Sequence, residues 1–190
     1  MGRVTKKQWW AGAVLGAAVV VVAGLVWFKP WALWVDETVN EALPSAATPT
    51  GPRTVPTSPS SSGAAAPSAM PAGPTTVAQG SFISHEHTTT GTVKIVRLAD
   101  GTHTLRLEGL DTSNGPDLRV WLSDAPVKEG KAGWGVFDDG KYVNLAKLKG
   151  NKGDQNYQLP ADLDLSAYTS VSIWCDRFDV SFGAAEIVPT

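Results

Sequence analysis

Hydrophobic and polar positions fall into three textures along the chain. Trp10 to Phe28 reads WAGAVLGAAVVVVAGLVWF, apolar throughout and free of charge. As a helix this run reaches roughly 28 Å, the hydrocarbon thickness of a bilayer. A helix also satisfies its own backbone groups, as lipid requires. Pro44 to about Val77 holds almost no large apolar residue and almost no charge; Pro, Ser, Thr, Gly and Ala fill it. From Gln79 onward, short runs of β-branched and aromatic residues alternate with Gly, Asn, Asp and Pro. That is the texture of strands joined by tight turns.

The runs predict strands near Gly80–Ser84, Thr92–Leu98, Thr102–Leu107, Asp117–Ser123, Lys141–Leu145, Asn156–Leu159, Ser170–Cys175 and Val180–Val188. Turn signals separate them at Asp100-Gly101, Ser113-Asn114-Gly115-Pro116, Asp139-Gly140, Gly150-Asn151 and Pro160-Ala161. Period-two alternation assigns faces. Leu118, Val120 and Leu122 oppose Arg119, Trp121 and Ser123. Val171, Ile173 and Cys175 oppose Ser172, Trp174 and Asp176. Leu105 and Leu107 share a face with His103. About eight strands at a spacing of about ten residues predict a β-sandwich. Only Ala161–Ala167 suits a short helical turn. The expected fold class is all-β: a single β-sandwich domain preceded by one transmembrane helix and a disordered linker.

The flanks give the apolar rod an orientation. Trp9 and Trp10 stand at one end, and Trp27, Trp31 and Trp34 at the other, as aromatic belts do at membrane interfaces. Arg3, Lys6 and Lys7 precede the run; Asp36, Glu37 and Glu41 follow it. The positive-inside rule then expects residues 1–9 in the cytoplasm, 10–28 across the bilayer, and 29–43 as a juxtamembrane segment. Residues 44–78 are expected as the linker and 79–190 as the extracytoplasmic domain of a single-pass membrane protein. The bilayer is thus the first expected partner. A cleaved signal peptide fits less well: the run exceeds an h-region, and WFKPWALWV makes a poor cleavage zone. A helix buried in a soluble domain would need cover around its whole circumference. The Pro-rich segment cannot bury enough surface to offset its ordering entropy. It reads as a spacer of roughly 30 Å mean reach and near 100 Å at full stretch.

Charge and motifs narrow the chemistry. Charged residues are 18% of the 190, with a formal net charge of -2, which excludes the basic footprint of a nucleic-acid binder. Cys175 is the single cysteine, so no intrachain disulfide forms. C-x-x-C-H, C-x-x-C, G-x-S-x-G, the P-loop and the dinucleotide fingerprint are all missing. Neither His nor Met follows Cys175 as a blue-copper site wants. No catalytic constellation stands out.

The candidate residues each carry two readings. Cys175 is a small buried hydrophobe, or a retained thiol with a redox role, since an unpaired thiol outside the cytoplasm invites oxidation. His85 and His87, at i and i+2 on a strand, point the same way and suit one metal ion; solvated loop histidines are the plainer alternative. His103 beside Leu105 fits the edge of a core. A histidine meeting Cys175 would suit haem iron, copper or zinc. Trp121 and Trp174 share faces with polar residues. They form a binding surface for an aromatic ligand or protein partner, or lie under the Gly-rich Lys128–Gly135 stretch.

Longer motifs carry a resemblance. Gly80-Ser81-Phe82, His87 and Gly91-Thr92-Val93 open it. Asn114-Gly115-Pro116-Asp117-Leu118 and Val120-Trp121-Leu122-Ser123 follow, then Gly153, Tyr157-Gln158-Leu159-Pro160 and Tyr168. Val171-Ser172-Ile173-Trp174-Cys175, Phe178, Val180, Phe182-Gly183 and Ala185 close it. From about Gln79 to Val188 the chain resembles the electron-transfer DM-thirteen domain family. The resemblance implies a β-sandwich related to the DOMON haem- or sugar-binding modules, jelly-roll-like in form. It further implies a redox centre at the cysteine of the I-W-C run, here Cys175, as a bare thiol or through a prosthetic group such as haem. His87 matches the histidine of the opening motif and becomes the second ligand candidate. The partner implied is a redox or cell-envelope protein. A non-redox binding or scaffold module of the envelope is the competing expectation.

Overall fold

A computed structural model describes residues 6–28, 35–44 and 73–190. The side chains of Trp9, Trp10 and Trp27, the residues Arg3, Trp31 and Trp34, and segment 45–72 lie outside the described part. Helix α1 runs Lys6–Phe28. Between Leu15 and Val26 it exposes Leu15, Val19, Val20, Val21, Val22, Leu25 and Val26. That stretch is roughly 18 Å long. Among the described residues no helix is long and apolar enough to cross a membrane.

Among the described residues ten strands follow: β1 (Thr38–Asn40), β2 (Thr75–Ser84), β3 (Thr90–Arg97), β4 (His103–Asp111), β5 (Leu118–Ser123), β6 (Tyr142–Lys147), β7 (Lys152–Gln158), β8 (Ser170–Cys175), β9 (Val180–Glu186) and β10 (Val188–Pro189). Their order is β1-β7-β4-β3-β2-β9-β8-β5-β6, with β10 beside β2. The sheet curls at β2. Its first part pairs with β3 and β10, its last three residues with β9. Gly80 sits at that change of partner, where a Cβ would collide with the Glu186 carbonyl. The two halves close on one core. Val93, Ile95, Leu105 and Leu107 face Val120, Leu122, Val171 and Ile173, so the alternation read from the sequence is the inward face of a β-sandwich. A second, smaller cluster lies outside β5 and β8: Trp121, Trp174, Phe137, Ala125 and Ala184.

Two boundaries differ from expectation. β2 begins at Thr75, inside the segment read as linker. Thr75 and Thr76 pair with Arg97 and Val96, and Val77 and Ala78 pack on the core. The second difference is larger. Residues 35–44 belong to the sandwich. β1 pairs parallel with β7, Val39 opposite Gly153. Arg106, only 11% exposed, donates to the Glu41 carbonyl at 3.0 Å, to Asn156 Oδ1 at 3.0 Å and to Asp154 Oδ2 at 2.8 Å. Lys149 Nζ meets the Glu41 carboxylate at 2.7 Å, and Glu41 Oε2 accepts from Asn156 N at 2.8 Å. The Lys149 bond holds the Glu41 carboxyl below its ordinary pKa. Both ends of segment 45–72 are therefore fixed on the domain, and only residues 29–34 separate α1 from it. A spacer between helix and domain is limited to that length.

Candidate functional site

Cys175 ends β8, a strand buried along its whole length between β5 and β9. Register sets it opposite Leu118 and Val180. Its side chain faces the main core with Val171 and Ile173 and is 0% exposed. The chain then turns sharply. Phe178 N donates to the Cys175 carbonyl at 3.2 Å, and Asp179 takes φ 50° before β9 begins. Cys175 thus lies at the end of the sandwich formed by the β8–β9 turn, the start of β5 and the end of β2.

The expected i, i+2 histidine pair does not form, because β2 stops at Ser84 and residues 85–87 bend away. His85 turns to the outer face. A carbonyl only accepts, so His85 Nε2 carries the proton that bonds the Lys128 carbonyl at 3.1 Å. Its Nδ1 accepts from Ser181 Oγ at 2.8 Å, and Ser181 Oγ accepts from Ser172 Oγ at 2.9 Å. Burial pushes the His85 pKa down, opposed by the Lys128 carbonyl. His87 lies instead over Phe182, ring centroids 3.9 Å apart, with Glu86 Oε2 at 3.6 Å. His103 opens β4 at the opposite end of the sandwich, opposite Arg97. It lines an apolar cleft with Leu165, Tyr168 and Ile187.

Cys175 and His85 therefore share one end but not one surface, Cys175 in the core and His85 outside the sheet, while His87 lies at that end over Phe182, itself a core residue. Among the described residues no three His, Cys, Asp or Glu side chains gather as a metal site. Trp121 and Trp174 do meet, with centroids 4.7 Å apart and planes 21° from parallel. They are 4% and 0% exposed, because Ala125, Val127, Val136 and Phe137 pack over them. His85 pins this cover through Lys128, and Ser181 N adds a bond to the Trp134 carbonyl at 2.8 Å.

Sequence reasoning passed over Tyr142, which stacks on Trp121 at 4.2 Å and 8°. Its signal was alternation, since Tyr142 and Asn144 share a face of β6. Asn114 was also missed as a contact. Its Nδ2 donates to the Val35 carbonyl at 3.0 Å, which brings the chain in from α1 at the Cys175 end.

No curated protein and no solved structure matches the chain. Residues 81–187, more than half of its length, match the family model described as Electron transfer DM13. The matched span runs from β2 to the end of β9 and includes the Ile173-Trp174-Cys175 run, so the chain belongs to the electron-transfer DM13 family.

Proposed function

We propose that the chain is a membrane-anchored, extracytoplasmic electron-transfer module whose redox-active group is the Cys175 sulfur. The observation that carries this reading is the lone thiol within the matched family span, at the end of β8. The uncharged Trp10–Phe28 run, the apolar side chains exposed between Leu15 and Val26 and the basic residues before the helix support the anchor. Residues 29–34 reach at most about 25 Å between Phe28 and Val35. The domain then rides close to the bilayer, with the Asn114 turn and Cys175 on its near side. The redox partner is correspondingly a protein in or on the same membrane.

Haem and copper do not fit around Cys175. The sulfur is enclosed by apolar side chains and has no exposed surface, His85 lies outside the sheet, and His103 lies at the opposite end of the sandwich. The thiol itself is the group to test. Its complete burial supports a second reading, a non-redox scaffold of the envelope in which Cys175 only packs.

The test uses the full chain in detergent, equilibrated with mediators of graded potential and scored by thiol trapping and mass spectrometry. The redox reading expects reversible two-electron oxidation of the Cys175 thiol to a sulfenic acid, its oxygen taken from water, its two protons lost to solvent and its two electrons passed to the mediator, and loss of that change in Cys175→Ser. A sulfur unreactive in the folded chain across the whole range leaves the scaffold. For the anchor, membranes washed at high pH should retain the chain. Release into the wash would remove that part of the reading.

A further inference from the structure

We infer that Tyr142, Trp121 and Trp174 form a one-electron relay that connects solvent to the interior of the domain beside Cys175. This rests on the electron-transfer reading but not on Cys175 being the redox centre.

Strand register builds the relay. Trp121 in β5 stands opposite Asn144 in β6 and Ser172 in β8. Tyr142 lies two residues before Asn144, and Trp174 two after Ser172, so all three rings share the outer face. Diagonal neighbours of this kind lie within reach of aromatic side chains. The rings form one line across β6, β5 and β8: 4.2 Å and 8° from Tyr142 to Trp121, then 4.7 Å and 21° from Trp121 to Trp174. Tyr142 is 44% exposed, whereas both indoles are buried. The line runs from the far end of the sandwich toward Cys175, the next residue after Trp174.

Packing alone does not require this arrangement. Edge-to-face contacts bury aromatic surface equally well, and Phe137 meets Trp174 that way, at 71°. Rings 4.2 and 4.7 Å apart favour electron exchange, because electronic coupling falls exponentially with the gap between π systems.

The protons set the chemistry. The Nε1 atoms of Trp121 and Trp174 are buried with no hydrogen-bond partner. An oxidised indole there meets no protein acceptor for its proton. The step is therefore a transfer of one electron only: Trp121 loses it, a high-potential oxidised metal complex in solvent beyond Tyr142 gains it and is reduced by one unit, and no bond breaks. The same exchange moves the vacancy from Trp121 to Trp174, and one electron from a one-electron reductant restores the stack. Trp121 lies between two ring faces, and aromatic faces stabilise a cation. Tyr142 differs. Its exposed phenol can lose a proton to water, so only a step that oxidises Tyr142 depends on pH.

The test is laser flash oxidation of the full chain in detergent by ruthenium(III) tris-bipyridine, generated with hexaammineruthenium(III). Transient absorption should show a tryptophan radical cation with a near-infrared band shared by two stacked indoles, its decay independent of pH. That band should vanish in Trp121→Phe and in Trp174→Phe. Tyr142→Leu, at an exposed position, should keep the band and slow its appearance. A band unchanged in a folded Trp121→Phe chain, or an unchanged rate in Tyr142→Leu, overturns the relay. So does a wild-type chain without the band. Where Trp121→Phe fails to fold, the Tyr142→Leu rate decides. Cys175 oxidation is scored by mass spectrometry in the same samples. A tryptophan band without thiol oxidation removes the cysteine-centred reading and leaves the relay; thiol oxidation without the band does the reverse.

Discussion

Asn114 holds the carbonyl of Val35 through its Nδ2 at 3.0 Å, tying the segment that follows the apolar helix to the turn that precedes β5. Leu118, four residues on, pairs with Cys175. The arriving chain and the cysteine are thereby set at one end of the sandwich. Lys152 Nζ adds a bond to Asp36 at 3.1 Å, and Asn151 Oδ1 accepts from Glu37 N at 2.7 Å. The segment after the helix is an edge strand with its own contacts, and the domain cannot drift from the helix by more than residues 29–34 allow while those contacts hold.

Gly153 is the position at which this attachment can be broken cleanly. It takes φ +94° opposite Val39, and a Cβ there would collide with the Val39 carbonyl. Gly153→Ala should expel β1 from β7 and cost about 1–3 kcal/mol from backbone strain. Hydrogen exchange at amides 37–41 should then approach that of free chain, while β8 and β9 stay protected. Equal protection of residues 37–41 in the variant would show that β1 tolerates the substitution.

The same strand should loosen in acid. Glu41 has its pKa lowered, first by the Lys149 hydrogen bond and further by the bond from Asn156. A depressed carboxyl contributes stability above its unfolded value, 4.5, and loses it as pH falls through the folded value. Exchange at residues 37–41 should therefore rise below about pH 4.5, and Glu41→Gln should show raised exchange already at neutral pH. A flat profile in the native chain would mean that the remaining contacts of the segment, those of Arg106, Asn151 and Lys152 among them, hold the strand without the Glu41 charge.

Cys175→Ser places a hydroxyl among apolar side chains at a position with no exposed surface. An unsatisfied buried hydroxyl costs about 1–3 kcal/mol. Chemical denaturation should report a loss in that range with the β-sheet circular dichroism retained. In the native chain, thiol reagents should label Cys175 only at the rate at which the domain opens. Fast labelling under native conditions would contradict the burial on which both cost and rate depend.

The core was legible because each strand buries one face, and alternation states that directly. Ser170–Cys175 forms as expected, and Cys175 lies with Val171 and Ile173. β1 was not legible. Thr38-Val39-Asn40 is too short to show a period, and a parallel partner more than a hundred residues away is chosen by Arg106, Lys149 and Asn156, which only the fold assembles. The histidine pair failed for a local reason: i, i+2 alignment needs an extended backbone, and the bend after Ser84 ends it. Trp121 and Trp174 were correctly given a shared outer face. Their stacking with Tyr142 depends on the register of three strands, which no single run of sequence contains. Their cover depends on where residues 125–137 fold back, held by the His85 bond to the Lys128 carbonyl together with the Ser181 bond to Trp134 and the Ser123 bond to Phe137.

That bond gives the last prediction. Burial lowers the His85 pKa in the folded chain from its ordinary value of 6.5. As pH falls, the unfolded chain takes the proton first, so folding stability is full above 6.5 and declines from there toward the folded value. The local consequence is specific. A proton on Nδ1 turns it into a donor to Ser181 Oγ, which already accepts from Ser172. The Ser181 hydroxyl must then direct its own hydrogen elsewhere. The cover over Trp121 and Trp174 should loosen as pH falls below about 6.5, seen as faster hydrogen exchange in residues 128–137 and greater quenching of buried tryptophan fluorescence by acrylamide. His85→Gln, which keeps a donor and an acceptor but does not titrate, should flatten both profiles across that window. If the acid response persists unchanged in His85→Gln, another group controls the cover, and the His85–Ser181–Ser172 chain serves packing alone.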